Sequence, residues 1–135
     1  WRAMEKFVAE EKARSIGVSH FCKHHMMSLL ETAIIPPALN QVEYHIGMGS
    51  AGNNATDDKS FHESIGVTYQ PFSQLCGPCC MGKPANCTDD MELITGEMVT
   101  SIGENYGKSG AQVSLRWLTQ QGLPVIPKTN NVKHL

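Results

Sequence analysis

The stretch Pro37-Ala38-Leu39-Asn40-Gln41-Val42-Glu43-Tyr44-His45 sets the fold class. It opens on the second proline of the Pro36-Pro37 pair, which closes a helical pattern because proline lacks an N–H and pushes its predecessor out of the helical region. Val42 and Tyr44 suit a pleated, half-buried surface, so a strand is expected from Leu39 to His45. Upstream, the periodicity predicts a helix over Phe21–Ala33, carrying Phe21, Met26, Met27, Leu29 and Leu30. Before it comes a short strand from Ala13 to Val18. A first helix is expected from Trp1 to Lys12, with Trp1, Met4, Phe7 and Val8 on one face and charges opposite.

Downstream, a Gly-rich loop runs from Gly47 to Asn53, and Thr56 or Asp57 can cap a helix reaching about Ser64, with Gly66 at its C-terminus. A third strand is expected from Val67 to Phe72, where Pro71 marks a strand end or bulge. A Cys-rich loop at 75–90 precedes two helices, Glu92 to Tyr106 and Gly110 to Gln121. Ser109 is a good N-cap for the second and Gly122 a stop. A fourth strand is expected from Leu123 to Pro127. The order αβαβαβααβ, with strands about 26 residues apart, is that of repeated βα units on a parallel sheet. The sequence is therefore read as one α/β domain spanning 1–135.

Composition agrees with this and narrows the function classes. Hydrophobic residues make up 41% and charged residues 18%, so the chain is not of a disordered type. No apolar run approaches the ~20 residues of a membrane helix. The net charge of −2 and the lack of a basic block argue against nucleic-acid binding through phosphate neutralisation. The chain begins at Trp1 without a secretory core, which points to a processed or truncated N-terminus and a cytoplasmic location, or an organelle interior after removal of a transit peptide. Of the five cysteines, Cys76, Cys79, Cys80 and Cys87 crowd into twelve residues. An odd count does not suit a disulfide framework. A single Cys76-x-x-Cys79 pair is half of what a zinc site wants, so a thiol-rich surface loop is preferred over a metal module. Gly47-Met48-Gly49-Ser50-Ala51-Gly52 lacks the strand–turn–helix context of a dinucleotide fingerprint.

Ligand chemistry in such folds gathers at the C-terminal ends of the strands. Those ends read Ser19-His20-Phe21, Glu43-Tyr44-His45, Phe72-Ser73 and Lys128-Thr129-Asn130, with Asn40-Gln41 inside the second strand. Hydroxyls, amides, an aromatic face and a cation suit a flat polar ring joined to an anion. Gln41 can pair with a carboxamide, Phe72 can stack on a ring, and Lys128 with Thr129 can hold a phosphate.

These residues lie in segments that together resemble the aldo-keto reductase family. The segments are Trp1-Arg2-Ala3-Met4-Glu5, Lys12-Ala13-Arg14-Ser15-Ile16-Gly17-Val18-Ser19-His20-Phe21, the Pro37–His45 stretch, Phe72-Ser73-Gln74-Leu75, Ala111-Gln112-Val113-Ser114-Leu115-Arg116-Trp117 and Val125-Ile126-Pro127-Lys128-Thr129. The resemblance implies the C-terminal half of a (β/α)8 barrel, strands five to eight, of an NADPH-dependent enzyme that reduces small carbonyl substrates. It implies that Ser19, His20 and Gln41 hold the nicotinamide carboxamide of NADP(H) and that Phe72 stacks on the ring. Ser73 and Leu75 would line the pyrophosphate. Lys128, Thr129 and His134 would meet the adenosine 2′-phosphate. Family members usually carry Asn at the place of His20, often Tyr at Phe72, Pro at Gln74 and a cation at His134.

The family's catalytic Tyr, Lys, Asp and His belong to the first four strands, so the resemblance places no catalytic residue here; Tyr44, His45, Tyr69 and Lys128 do not align with them. A full barrel takes roughly 250 residues, and a half barrel leaves sheet edges open to pairing. Three states are open: part of a longer reductase, a non-catalytic structural subunit whose protein partners cover the open edges, or a dimer of halves.

Overall fold

The computed structural model describes residues 1–47, 53–75 and 92–134. The elements run α1 (Arg2–Ala9), β1 (Val18–Ser19), α2 (Lys23–Leu30), β2 (Leu39–Glu43), α3 (Asn53–Ser64), β3 (Thr68–Phe72), α4 (Glu92–Thr95), α5 (Glu97–Glu104), α6 (Gly110–Thr119) and a 3-10 turn (Val132–His134). The strands form one sheet in the order β1-β2-β3. β1 and β2 are parallel, with Val18 opposite Asn40 and Ser19 opposite Gln41. The alternation of strand and helix follows the sequence pattern. The chain divides into two compact units, Trp1–Val42 with Ala51–Gln70, and Glu43–Ser50 with Pro71–Leu135. No helix among the described residues is long and apolar enough to cross a membrane.

In the first unit the core is Ile16, Met26, Val67 and Tyr69, joined by Val42, Asn40 and His62. β2 alternates strictly, with Asn40 and Val42 buried and Leu39, Gln41 and Glu43 half-buried. That period of two places Gln41 on the face opposite the core. Three expectations change here. β1 is only two residues long, although Ala38 N–H to Ile16 O (2.8 Å) continues the pairing towards its start. α1 does not bury its apolar face: Met4 and Phe7 are exposed and Glu5 is buried. The cause is polar. Glu5 Oε1 accepts from Ile34 N (2.7 Å) and Ile35 N (2.9 Å), and Trp1 Nε1 donates to Ile35 O (2.8 Å). These bonds anchor the segment that leads into Pro36-Pro37. α3 begins at Asn53, ahead of the expected Thr56 or Asp57 cap, and ends at Ser64; beyond it Gly66, at φ +73°, allows Val67 N–H to reach back to His62 O.

In the second unit α6 buries Gly110, Ser114 and Leu118, one stripe at intervals of four, beside Leu93, Val99 and Leu123. Ser109 caps α6 as the sequence led us to expect, and the cap is reciprocal: Gln112 N donates to Ser109 Oγ (3.3 Å) and Ser109 N to Gln112 Oε1 (3.0 Å). Gly122, at φ +74°, closes the helix. The single helix expected over Glu92–Tyr106 is two, because Gly96 sits in extended backbone and starts α5 afresh.

The expected fourth strand, Leu123–Pro127, is not a strand. Pro124 and Pro127 have no N–H to give a ladder. The N–H of Ile126 goes to a side chain instead, Gln74 Oε1 at 2.9 Å. Gln74 Nε2 in turn donates to Pro71 O (3.0 Å) and Pro124 O (3.2 Å). A buried glutamine, 4% exposed, thus does the work of a strand neighbour. Apart from Leu75, the Cys-rich loop at 75–90 lies outside the described residues, as does the Gly-rich loop between Gly47 and Asn53.

Candidate functional site

In the first unit the C-terminal end of β1 brings Ser19 and His20 beside Gln41, in the middle of β2. Ser19 Oγ donates to Gln41 O (2.9 Å) and lies 2.9 Å from His20 Nδ1. A hydroxyl has one proton. With that proton spent on Gln41 O, the Nδ1–H of His20 donates to Ser19. His20 N–H also donates to Gln41 O (3.0 Å), which fixes the turn after β1. His20 lies in the left-handed region, φ +58°. Asparagine and histidine are among the residues that tolerate this conformation best. Gln41 Nε2 donates to Gln70 Oε1 (2.7 Å), so its amide is oriented by a side chain on β3. Gln70 was not singled out from the sequence; its place at the same alternation phase as Phe72 was the available signal. A shallow depression of about 340 Å³ is lined by Ser15, Gly17, Ser19, Leu39 and Gln41 among others. It lies at the lower end of the size range of small-molecule sites, ~300–1,000 Å³.

Asn40 is not a ligand residue. Completely buried, it takes Phe21 N–H at Oδ1 (3.2 Å) and gives Nδ2 to Phe21 O (2.6 Å) and His62 Nε2 (3.0 Å). His62 Nδ1 is bonded to Asp58 O (2.5 Å). This buried chain pins Phe21 and so holds the turn that carries Ser19 and His20.

In the second unit Phe72, Ser73 and Leu75 are half-buried in the turn that leaves β3. Ser73, like His20, has a left-handed backbone, φ +54°. Such conformations cost about 1–3 kcal/mol in non-glycine residues and concentrate at functional sites. Lys128, Thr129 and His134 are exposed. Thr129 Oγ1 and His134 Nδ1 are 3.4 Å apart. Asn131 stands between them: its N–H donates to Thr129 Oγ1 (3.0 Å) and its Nδ2 lies 3.3 Å from His134 Nε2. An amide N–H aimed at Nε2 makes that nitrogen an acceptor, so the proton of the ring sits on Nδ1. The structure brings Thr129 and His134 into one small network in which the ring is a hydrogen-bond partner.

Tyr44, Tyr69 and His45 are structural. Tyr44 stacks on Trp117 (centroids 5.4 Å apart, 29° between planes), and its hydroxyl donates to Gln121 Oε1 (3.3 Å). Tyr69 is buried with its ring 5.8 Å from His62. His45 is buried and accepts the Gly47 N–H at Nδ1 (3.2 Å); burial lowers its pKa from the ordinary 6.5.

With the fold and these strand ends in view, the relationship of the chain is plain. All of it, residues 1–135, matches the aldo/keto reductase family, and the chain belongs to that family. An NAD(P)H-dependent D-xylose reductase of Aspergillus niger is 38% identical over 137 residues, covering 100% of this chain and 41% of the relative. A glyoxal reductase of Bacillus subtilis is 36% identical over 129 residues, covering 96% of this chain and 40% of the relative. The chain thus spans about two-fifths of the length of these curated relatives. Among solved structures, the aldose reductase of Schistosoma japonicum superposes with a TM-score of 0.76 at 31% identity, over 99% of this chain and 38% of that one. An aldo-keto reductase in complex with NADPH gives 0.78 at 27% identity, over 99% of this chain and 39% of that one.

Proposed function

We propose that this chain is the cofactor-gripping part of an NADP(H)-dependent aldo-keto reductase that converts small carbonyl compounds to alcohols, and that it corresponds to strands five to eight of the barrel. The observation that carries the reading is the Ser19–His20–Gln41 arrangement: two polar strand-end residues and an oriented amide beside an open depression, on a turn held in the left-handed region. These groups fit a nicotinamide carboxamide, which needs both a donor and an acceptor. Ser19, His20 and Gln41 would hold it and Phe72 would cover the ring. Ser73 and Leu75 would meet the pyrophosphate. Lys128 and Thr129, with His134, would meet the 2′-phosphate. The bound cofactor would supply the hydride. A cytoplasmic location suits this reading.

The test is titration of the full-length chain with NADPH and with NADH, followed by quenching of tryptophan fluorescence. A lysine–phosphate contact is a charge-assisted bond worth about 1.5–3 kcal/mol, so Lys128→Met should weaken NADPH about 10- to 100-fold and leave NADH unchanged. No binding of NADPH overturns the reading and favours a non-catalytic subunit of a larger assembly, whereas equal weakening of both cofactors overturns the assignment of Lys128 to the 2′-phosphate.

A further inference from the structure

Cys22, His24 and His25 form a cluster that the cofactor reading does not use. Cys22 Sγ lies 3.1 Å from His24 Nδ1 and 3.1 Å from His25 Nδ1, and 3.7 Å from His24 Nε2. The two imidazole centroids are 3.9 Å apart. One ligand atom from each residue falls within 4.8 Å of the others. Both histidines are exposed and the thiol is half-buried and free, so an ion can reach all three.

The local structure leaves the thiol available for this. Cys22 is the N-cap residue of α2, yet its side chain makes no cap bond. Asp58 takes over that duty, accepting Lys23 N–H at Oδ1 (3.0 Å). The ammonium of Lys23, which sits between the ligands in sequence, is directed over the Phe61 ring at 5.2 Å. Proton counting also leaves the cluster open to a cation. The thiol carries one proton, so it can donate to only one of the two nitrogens that face it.

We propose that Cys22, His24 and His25 bind a zinc-type divalent ion through one thiolate sulfur and two imidazole nitrogens. Thiolate and imidazole are the donor types zinc prefers, and three protein ligands leave the fourth tetrahedral position to water or another small donor. With Zn–S about 2.3 Å and Zn–N about 2.0–2.1 Å, ligand atoms around a tetrahedral ion stand roughly 3.6 Å apart. The observed 3.1 Å contacts need to open by about half an ångström, which rotation of the two exposed imidazoles supplies. On binding, the thiol proton leaves to solvent and a sulfur–metal bond replaces the S–H bond; no oxidant or reductant is involved. All three ligands fall within four residues, so little chain entropy opposes the site.

The test isolates this thiol from the others. In a full-length chain with Cys76, Cys79, Cys80 and Cys87 replaced by serine, Co2+ titration should give a thiolate-to-cobalt charge-transfer band that saturates at one equivalent and is removed by Zn2+. Adding Cys22→Ser should abolish the band. His24→Gln or His25→Gln should weaken binding at least tenfold. If the quadruple variant does not fold, zinc stoichiometry on the otherwise native chain serves the same end: Cys22→Ser should bind one equivalent fewer. Absence of the band, survival of the band at unchanged affinity in the His24→Gln/His25→Gln double variant, or unchanged stoichiometry in Cys22→Ser overturns the proposal.

Discussion

Replacing Gln74 by leucine should detach the segment Pro124–Ile126 from the turn after β3. The side chain makes three hydrogen bonds, two donated by Nε2 to Pro71 O and Pro124 O and one accepted by Oε1 from Ile126 N. Each is worth about 0.5–1.5 kcal/mol net, and a buried group left unsatisfied costs about 1–3 kcal/mol. Pro71 is fully buried, so its carbonyl bears that larger penalty, whereas Ile126, 47% exposed, can turn its N–H to water. Leucine restores apolar contact of nearly the same volume and offsets part of the loss. The sum is about 2–3 kcal/mol of destabilisation, or a fall of about 1–1.5 M in the urea midpoint for a slope near 2 kcal/mol/M. Amide exchange resolves the local part: protection of Ile126 should drop in Gln74→Leu more than that of Leu118 in the core of α6. Gln74→Glu separates the two ends of the side chain. It keeps an acceptor for Ile126 but sets a carboxylate against two carbonyls, so it should be at least as destabilising while Ile126 stays partly protected. An unchanged midpoint together with unchanged Ile126 exchange in Gln74→Leu would refute the claim that this side chain stands in for a strand.

Asn40→Leu should cost about 2–4 kcal/mol, because it strips Phe21 of two backbone partners and His62 of one in a site with no exposure; urea denaturation checks it. One carboxyl and one imidazole effect should appear in separate acid windows. The Glu5 carboxyl is held below its ordinary 4.5 by the Ile35 N–H, against burial, with help from the Ile34 N–H and Arg2. Its contribution is full above pH 4.5 and is lost as pH falls below that value through the lowered folded pKa, a loss that Glu5→Gln should remove from the stability–pH curve. Burial lowers the pKa of His45 from 6.5, so the unfolded chain takes up a proton that the folded one refuses. Stability should begin to fall as pH drops below 6.5, and His45→Gln should flatten that limb. Thermal melts at stepped pH on the full-length chain measure both.

How much was legible in advance depended on the range of the interaction. The Ser109 cap, the Gly66 and Gly122 stops and the strand from Leu39, expected to His45 and ending at Glu43, were readable because each rests on a few neighbouring residues: a hydroxyl beside the first turn, a residue free to adopt positive φ, a run suited to a pleat. The family was also readable, since its motifs are local strings in a fixed order, and the match over residues 1–135 bears it out. The strand expected at Leu123–Pro127 failed because a strand requires a partner, and its apolar run could not reveal that Gln74, some fifty positions earlier, would take the Ile126 N–H. Glu5 was assigned to a solvent face by helical periodicity, which cannot see that two backbone donors near Pro36 lie within its reach. The strand-end residues could be named from sequence, but not how they are held. That Asn40 faces inward and pins Phe21, that Gln70 orients Gln41, and that His24 and His25 converge on the Cys22 thiol are consequences of directions in space. Sequence alone determined the class of fold and its punctuation, because propensity and turn chemistry act over a few residues. Tertiary structure alone decided which polar groups meet, because a hydrogen bond is settled within about 3 Å, and no one-dimensional pattern carries that information.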